Sequence, residues 1–167
     1  MPTQLETGID WGTQLPDNQI SYFFAPSGGV YASPIGNVIS SGFVAYEIQQ
    51  FELAFTLFES FLNVDFVEVS SAAAADFDLI TYNGSGSSIL GAFGPPGTST
   101  AGTGVYNWQG AGWDWDTPGT GALEQGGYGF VTIIHELGHG LGLAHPHDNG
   151  GSSTIFPGVS RDRKSVV

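Results

Sequence analysis

The sequence contains no cysteine, and only three of its 167 residues are basic. Without cysteine there is no disulfide framework, so the fold must depend on apolar packing, which an apolar content of 41% can supply. The net charge of −13 argues against nucleic acid as a partner, because phosphate binding needs a cluster of Lys and Arg side chains. Acidity of this kind is typical of a solvated, repulsive protein surface.

Long apolar runs are also missing. No stretch of the sequence is long enough to span a bilayer, so we expect no membrane association. The first ten residues have neither the basic start nor the apolar run of a classical signal peptide. Glycine is abundant instead, at 26 residues, which indicates many turns and loops.

Apolar periodicity predicts a chain of alternating strands and helices without internal repeats. Strands are expected at residues 19–25, 65–70, 77–82, 88–93 and 104–108, and helices at residues 45–62 and 128–141. This order predicts an α+β fold in which both helices pack on one face of a twisted mixed sheet. Glu47, Glu52 and Glu59 are expected on the solvated face of the first helix.

One short stretch near the end of the sequence contains the pattern H-E-x-x-H-x-x-G-x-x-H, formed by His135, Glu136, His139, Gly142 and His145. Histidines four residues apart lie on one face of a helix, which suits two ligands of a tetrahedral zinc ion. Glu136 can reach a water molecule on the metal without being a ligand itself. Gly142 can end the helix in the left-handed conformation, so that His145 returns as a third ligand. A fourth position stays open, as in catalytic zinc sites.

The motif is specific, since five placed residues recur by chance in roughly one chain of this length in ten thousand. All four histidines of the chain fall within it or directly after it, and the apolar stripe of the surrounding residues is helical. His147 is expected to be a neighbour of the site rather than a ligand, because Pro146 redirects the chain.

The extended motif resembles that of the metzincin metalloproteases. Pro146 after the third histidine and the preceding stretch of residues 127–132 are most similar to the serralysin group, peptidase family M10. Matrixins are the nearest rival, but their second, structural zinc uses upstream histidines, and this chain has no histidine before His135. A matrixin-like enzyme without a propeptide stays an alternative.

The resemblance implies a twisted, mostly parallel five-stranded sheet with an antiparallel edge strand and two long helices. It also implies an extracellular zinc endopeptidase, in which His135, His139 and His145 hold Zn²⁺ and Glu136 is the general base that activates water. The partner would be a protein or peptide bound as an extended strand along the edge at residues 89–93. An edge protected by its own loop is the alternative.

The metzincin methionine turn is missing, since the only methionine is Met1. We therefore expect residues 1–160 to be a truncated catalytic domain that contains only the amino-terminal subdomain. Its zinc site should be open and weakened, and its activity weak or absent. The three basic residues all lie within residues 161–167, which we interpret as a non-native tail. Calcium sites of the serralysin type would lie mainly in the absent carboxy-terminal part, although Asp114 and Asp116 are weak candidates.

Two other interpretations belong to different functional classes. A secreted binding module with a structural or vestigial zinc site is the main alternative, and a Gly- and Ser-rich surface protein is another. Trp108, Trp113 and Trp115 could stack on sugars in a binding module, but packing in the core and loops is the commoner role of such clusters. Protein hydrolysis that a chelator stops and zinc restores would distinguish the enzyme from both.

Overall fold

The computed structural model describes residues 7–147 and 149–156. Residues 161–167, the expected non-native tail, lie outside the described residues. The strands are β1 (Gln19–Phe24), β2 (Val30–Ser33), β3 (Gly36–Ile39), β4 (Asp65–Glu68), β5 (Phe77–Tyr82), β6 (Gly91–Phe93) and β7 (Thr103–Asn107). The helices are α1 (Ala45–Phe61) and α2 (Tyr128–Gly140), with one 3-10 turn at Ala72–Ala74. In the part of the chain that is described, neither helix has the length and apolar character of a membrane span.

The main sheet has five strands in the order β4-β1-β5-β7-β6. Its first four strands are parallel, and β6 pairs antiparallel with β7 at one edge. The predicted α+β class, with a mostly parallel sheet, an antiparallel edge strand and two helices, is thus confirmed. The edge strand is shorter than the predicted residues 88–93, because a local turn, in which the Ile89 N–H donates to the Ser87 hydroxyl, precedes it.

Both helices pack on the same face of this sheet, as expected. Phe51 and Phe55 of α1 and Ile133 and Leu137 of α2 are buried in one core with the sheet residue Tyr106. Burying an apolar side chain of this size contributes about 1.5–3 kcal/mol, so this aromatic core is the main source of stability. It also fixes α2, which carries the first two histidines of the motif, directly against the sheet.

The second face of the sheet is covered by a hairpin that the sequence analysis did not predict. Strands β2 and β3 pair antiparallel, and Val38 packs with Ile80 and Val105 of the main sheet. Each strand has only four residues, too few for a clear alternation of apolar and polar side chains. The signal that could have revealed it is Pro34-Ile35-Gly36, where residues 34 and 35 form the turn and Gly36 begins β3 at a φ of +101°.

The prediction that Glu47 is solvated was wrong. Its side chain is buried, and its carboxylate accepts hydrogen bonds from the Trp113 indole N–H at 2.7 Å and the Val44 backbone N–H at 2.9 Å. The second bond satisfies a backbone donor at the start of α1, as in a capping box. Glu52 is exposed as predicted, whereas Glu59 is half-buried and accepts a hydrogen bond from the Phe66 backbone.

Candidate metal centre

Helix α2 ends as the motif predicts, at a glycine in the left-handed conformation. Gly142 has a φ of +95°, and its N–H donates to the His139 carbonyl at 3.0 Å. The next N–H, of Leu143, donates to the Gly138 carbonyl at 2.9 Å. These two bonds form a Schellman motif, which closes the helix and reverses the chain. The reversal brings His145 back beside the helix.

The three motif histidines meet at a single point. Their Nε2 atoms form a nearly equilateral triangle, with separations of 3.0 Å for His135–His145, 3.1 Å for His135–His139 and 3.0 Å for His139–His145. Together these residues are a group that can hold a metal ion. The positions predicted from the sequence are therefore brought together by the fold.

Hydrogen bonding alone cannot account for this triangle. Each ring nitrogen carries either one proton or one lone pair, so three mutual contacts cannot all be donor–acceptor pairs. A cation at the centre satisfies all three lone pairs at once. In a tetrahedral site with Zn–N bonds of about 2.0–2.1 Å, ligand nitrogens lie about 3.3 Å apart, close to the observed separations. The donor set thus fits a metal ion of this size.

The tautomer of His139 is fixed by a backbone carbonyl. Its Nδ1 lies 2.7 Å from the Leu143 oxygen, which can only accept, so the Nδ1–H donates there. The Nε2 lone pair of His139 is then directed into the triangle. A carbonyl or carboxylate behind a ligating imidazole is the usual arrangement in metal sites, because it orients the ring and raises its basicity.

His135 is held in the neutral form that ligation requires. Burial, and to a smaller extent repulsion from His139, His145 and His147, lowers the pKa of His135 to about 4. At neutral pH the ring therefore has a lone pair to offer. His147, by contrast, stacks on His145 with ring centroids 5.0 Å apart and is not a member of the three-histidine group, in agreement with its expected place beside the site.

The side chain of Glu136, a residue of α2, packs against the edge strand β6. It is buried, and a Cβ placed on Gly91 would stand 2.7 Å from its Cγ atom. Burial raises the pKa of Glu136 to about 8, and a hydrogen bond from the Phe93 backbone opposes this shift. A carboxylate whose pKa lies near neutrality, one residue from a metal ligand, is suited to accept and return a proton.

An open cavity of about 390 Å³ connects these elements. It is lined by the edge-strand residues, the three histidines, Glu136, Pro95, Gly150 and Trp11. Along β6, the Asn107 N–H donates to the Leu90 carbonyl and the Gly94 N–H to the Thr103 carbonyl. Because residues of an antiparallel pair alternate in direction, the backbone groups of Gly91 and Phe93 point away from β7 toward the free edge. The cavity therefore joins the metal centre to the unpaired edge of the sheet.

Trp11 is the largest of the cavity residues that sequence reasoning missed. It lies in an irregular segment, and its place opposite the histidines depends on contacts more than 130 residues away along the chain, which no local pattern predicts. Asp114 and Asp116, the weak calcium candidates, are not in the cavity. Asp114 instead accepts a hydrogen bond from the Thr120 hydroxyl at 2.6 Å. Of the predicted tryptophan cluster, Trp113 is buried in the main core, with Trp108 and Trp115 packed against it.

Comparison with known proteins adds no family to this picture. The chain matches no protein-family model, and no curated protein matches it with significance. Function must therefore be argued from the chemistry of the site.

Proposed function

We propose that the protein is a zinc-dependent endopeptidase of the metzincin type, similar to the serralysins, with Glu136 as its general base. The observation that carries the proposal is the convergence of three imidazole nitrogens, 3.0–3.1 Å apart, beside a buried carboxylate and an open cavity. Among the described residues, the group holds three histidines and no fourth side chain, which is the donor set of catalytic rather than structural zinc. An extracellular location belongs to the same proposal and follows only from the resemblance.

Each residue of the site has a distinct part in peptide hydrolysis. His135, His139 and His145 would hold the zinc ion. When bound, zinc polarises a carbonyl group and makes water more acidic. Glu136 takes the proton from the attacking water and passes it to the amine that leaves. The Glu136 side chain packs closely against Gly91, and its carboxylate accepts a hydrogen bond from the Phe93 backbone. Because these contacts fix its position, Glu136 needs little reorganisation during this proton transfer.

The geometry of the edge strand supports a peptide substrate. The N–H and carbonyl of Gly91 and the carbonyl of Phe93 face the free edge and can bind an extended chain by strand addition, while the Phe93 N–H donates to Glu136. A chain bound along this edge crosses the cavity that the histidines line. The described part of the chain carries no Lys or Arg side chain, so its acidity favours substrates that are neutral or basic around the cleavage point.

Hydrolysis of an unfolded protein tests the proposal. Denatured casein is incubated with the purified chain, with the chain after removal of metal by a chelator, and with the chelated chain after addition of stoichiometric Zn²⁺. We expect a low rate of cleavage that is lost with the chelator and restored by zinc. Zinc binding at one ion per chain without any cleavage, over a long incubation and against several peptides, would instead favour the alternative, a binding module with a structural or vestigial zinc site.

A further inference from the structure

A segment of residues 7–13 contacts the chain on the near side of the third histidine. The Trp11 N–H donates to the Gly142 carbonyl at 2.9 Å, and the Ala144 N–H donates to the Ile9 carbonyl at 2.8 Å. Asp10 and Leu143 form an isolated antiparallel bridge between these two bonds. The segment thus pairs with the residues that lead directly into His145.

The same segment also contacts the chain on the far side of that histidine. The Trp11 carbonyl accepts hydrogen bonds from the Ser152 N–H at 2.8 Å and from the Ser152 hydroxyl at 3.2 Å. The Thr154 N–H donates to the Thr7 carbonyl at 2.9 Å. Both ends of the loop that carries His145 are therefore attached to one segment, with Trp11 bonded to each end.

A third contact joins the segment to the loop after the edge strand. The Thr13 hydroxyl donates to the Pro96 carbonyl, and a Cβ placed on Gly97 would be in tight contact with the Thr13 side chain at 3.2 Å. Trp11 also lines the cavity that contains the histidines, with its ring against the backbone of Gly151. The segment is thus part of the cavity wall as well as a link between its two sides.

We infer that residues 7–13 are a positioning element of the metal centre, which holds His145 in register with His135 and His139. The need for one follows from the fold. His135 and His139 are fixed by helix α2, whereas His145 lies beyond the helix end, where no helix or strand of its own holds it. Without the segment, closing the triangle would cost the conformational entropy of the loop each time a metal binds. The inference rests on the proposed zinc site, since it concerns how a ligand of that site is held.

A substitution at Gly12 should disturb the contact of this segment with Ser152. Gly12 has a φ of +94°, and a Cβ at this position would lie 1.8 Å from the Ser152 hydroxyl oxygen and 2.7 Å from the Ser152 Cβ. Rotation of the hydroxyl relieves only the first contact, so Gly12→Ala must push Ser152 away from Trp11. Gly28 is the matched control, because its φ is +93° and no atom lies within 4 Å of its added Cβ. Gly28→Ala introduces the same backbone strain without the clash.

The measurement is the affinity for Zn²⁺, by competition with a chromogenic chelator, together with far-UV circular dichroism of the metal-free chain. We expect Gly12→Ala to weaken zinc binding about 10- to 100-fold, the range found when groups that orient a ligand are lost. Gly28→Ala should bind zinc within about twofold of the unsubstituted chain. The double variant Gly12→Ala/Ser152→Gly, which removes the clashing side chain, should recover most of the affinity.

The outcomes separate this inference from the proposed function. Equal zinc affinities for Gly12→Ala and Gly28→Ala would overturn the positioning role of residues 7–13 but would leave the proposed zinc site unaffected. Failure of the unsubstituted chain to bind zinc would overturn both. If Gly12→Ala loses the helical circular dichroism signal, the variant Ser152→Pro is used instead, because it removes the N–H that donates to the Trp11 carbonyl. Its zinc affinity is then compared with that of Gly28→Ala in the same way.

Discussion

Gly91 of the edge strand and Glu136 of the motif helix pack so closely that no side chain fits between them. A Cβ on Gly91 would lie 2.7 Å from the Glu136 Cγ and 3.1 Å from its Oε1. The absence of a side chain at position 91 thus sets how near the carboxylate can lie to the free edge. This relationship links the element proposed to bind the substrate to the group proposed to move its proton.

Gly91→Ala should therefore impair catalysis without removing the metal. The methyl group displaces the carboxylate, and a misplacement of about 1 Å can cost about 100-fold in rate. We expect kcat to fall about 10- to 100-fold while zinc affinity stays unchanged. Gly138→Ala is the control, because its added Cβ would meet the Leu143 Cδ1 at an ordinary 3.5 Å. A similar loss of kcat in both variants would contradict the steric explanation.

Glu136→Gln tests the general base itself. The amide has nearly the shape of the carboxylate but cannot accept a proton, so the rate should fall by about 10²- to 10⁴-fold. Zinc content, measured by atomic absorption on the purified variant, should stay at the level of the unsubstituted chain, because Glu136 is not one of the three ligands. Retained hydrolysis in this variant would remove Glu136 from the proposed mechanism.

Much of the site was predictable because its residues are local in sequence. The spacing of His135 and His139 follows from the helix repeat, and the turn that returns His145 follows from a glycine at position 142. The two helices and most of the strands likewise follow from apolar periodicity, whereas the mostly parallel order of the sheet was implied only by the resemblance to the metzincins. These features depend on residues within about a dozen positions of one another, which is the range over which a pattern can be interpreted.

The features that escaped prediction depend on distant contacts. Glu47 was assigned to solvent because charged residues on a helix usually face water, but its partner Trp113 lies 66 residues away. The Ser152 hydroxyl that donates to the Trp11 carbonyl is separated from it by 141 residues. Neither partner can be recognised from the residues around it, because a hydrogen bond to a distant donor imposes no periodicity on the local sequence.

The two histidines at the end of the motif should differ sharply in their effect on metal binding. His145 contributes an Nε2 to the triangle, whereas His147 only stacks on the His145 ring. We expect His145→Ala to weaken zinc binding by more than about 100-fold, beyond the loss found for groups that merely orient a ligand. His147→Ala should change the affinity less than about tenfold. Isothermal titration with Zn²⁺ measures both, and a reversed order would exclude His145 as the third ligand.

Glu47 should make the stability of the fold depend on pH. Burial raises the pKa of Glu47, while its hydrogen bonds from Trp113 and Val44 oppose the shift. A raised pKa in the folded state means that this residue's contribution is fully present at pH values below the unfolded pKa. The contribution is lost as the pH rises through the folded pKa.

Glu47→Gln isolates that contribution. The amide has nearly the shape of the protonated acid and, like it, directs a donor at one of the two N–H groups, so at pH 4 the variant should lie within about 1 kcal/mol of the unsubstituted chain. Because the substitution also removes the titration, the variant should gain stability relative to the unsubstituted chain from pH 4 to pH 7. Urea denaturation at both pH values measures this change as the difference in free energy of unfolding from the unsubstituted chain, which cancels the titration of all other groups.

Glu52→Gln, on the exposed side of the same helix, controls for the lost charge. A destabilisation by Glu47→Gln that grows from pH 4 to pH 7 would mean that the carboxylate is stabilised, not penalised, by its buried surroundings.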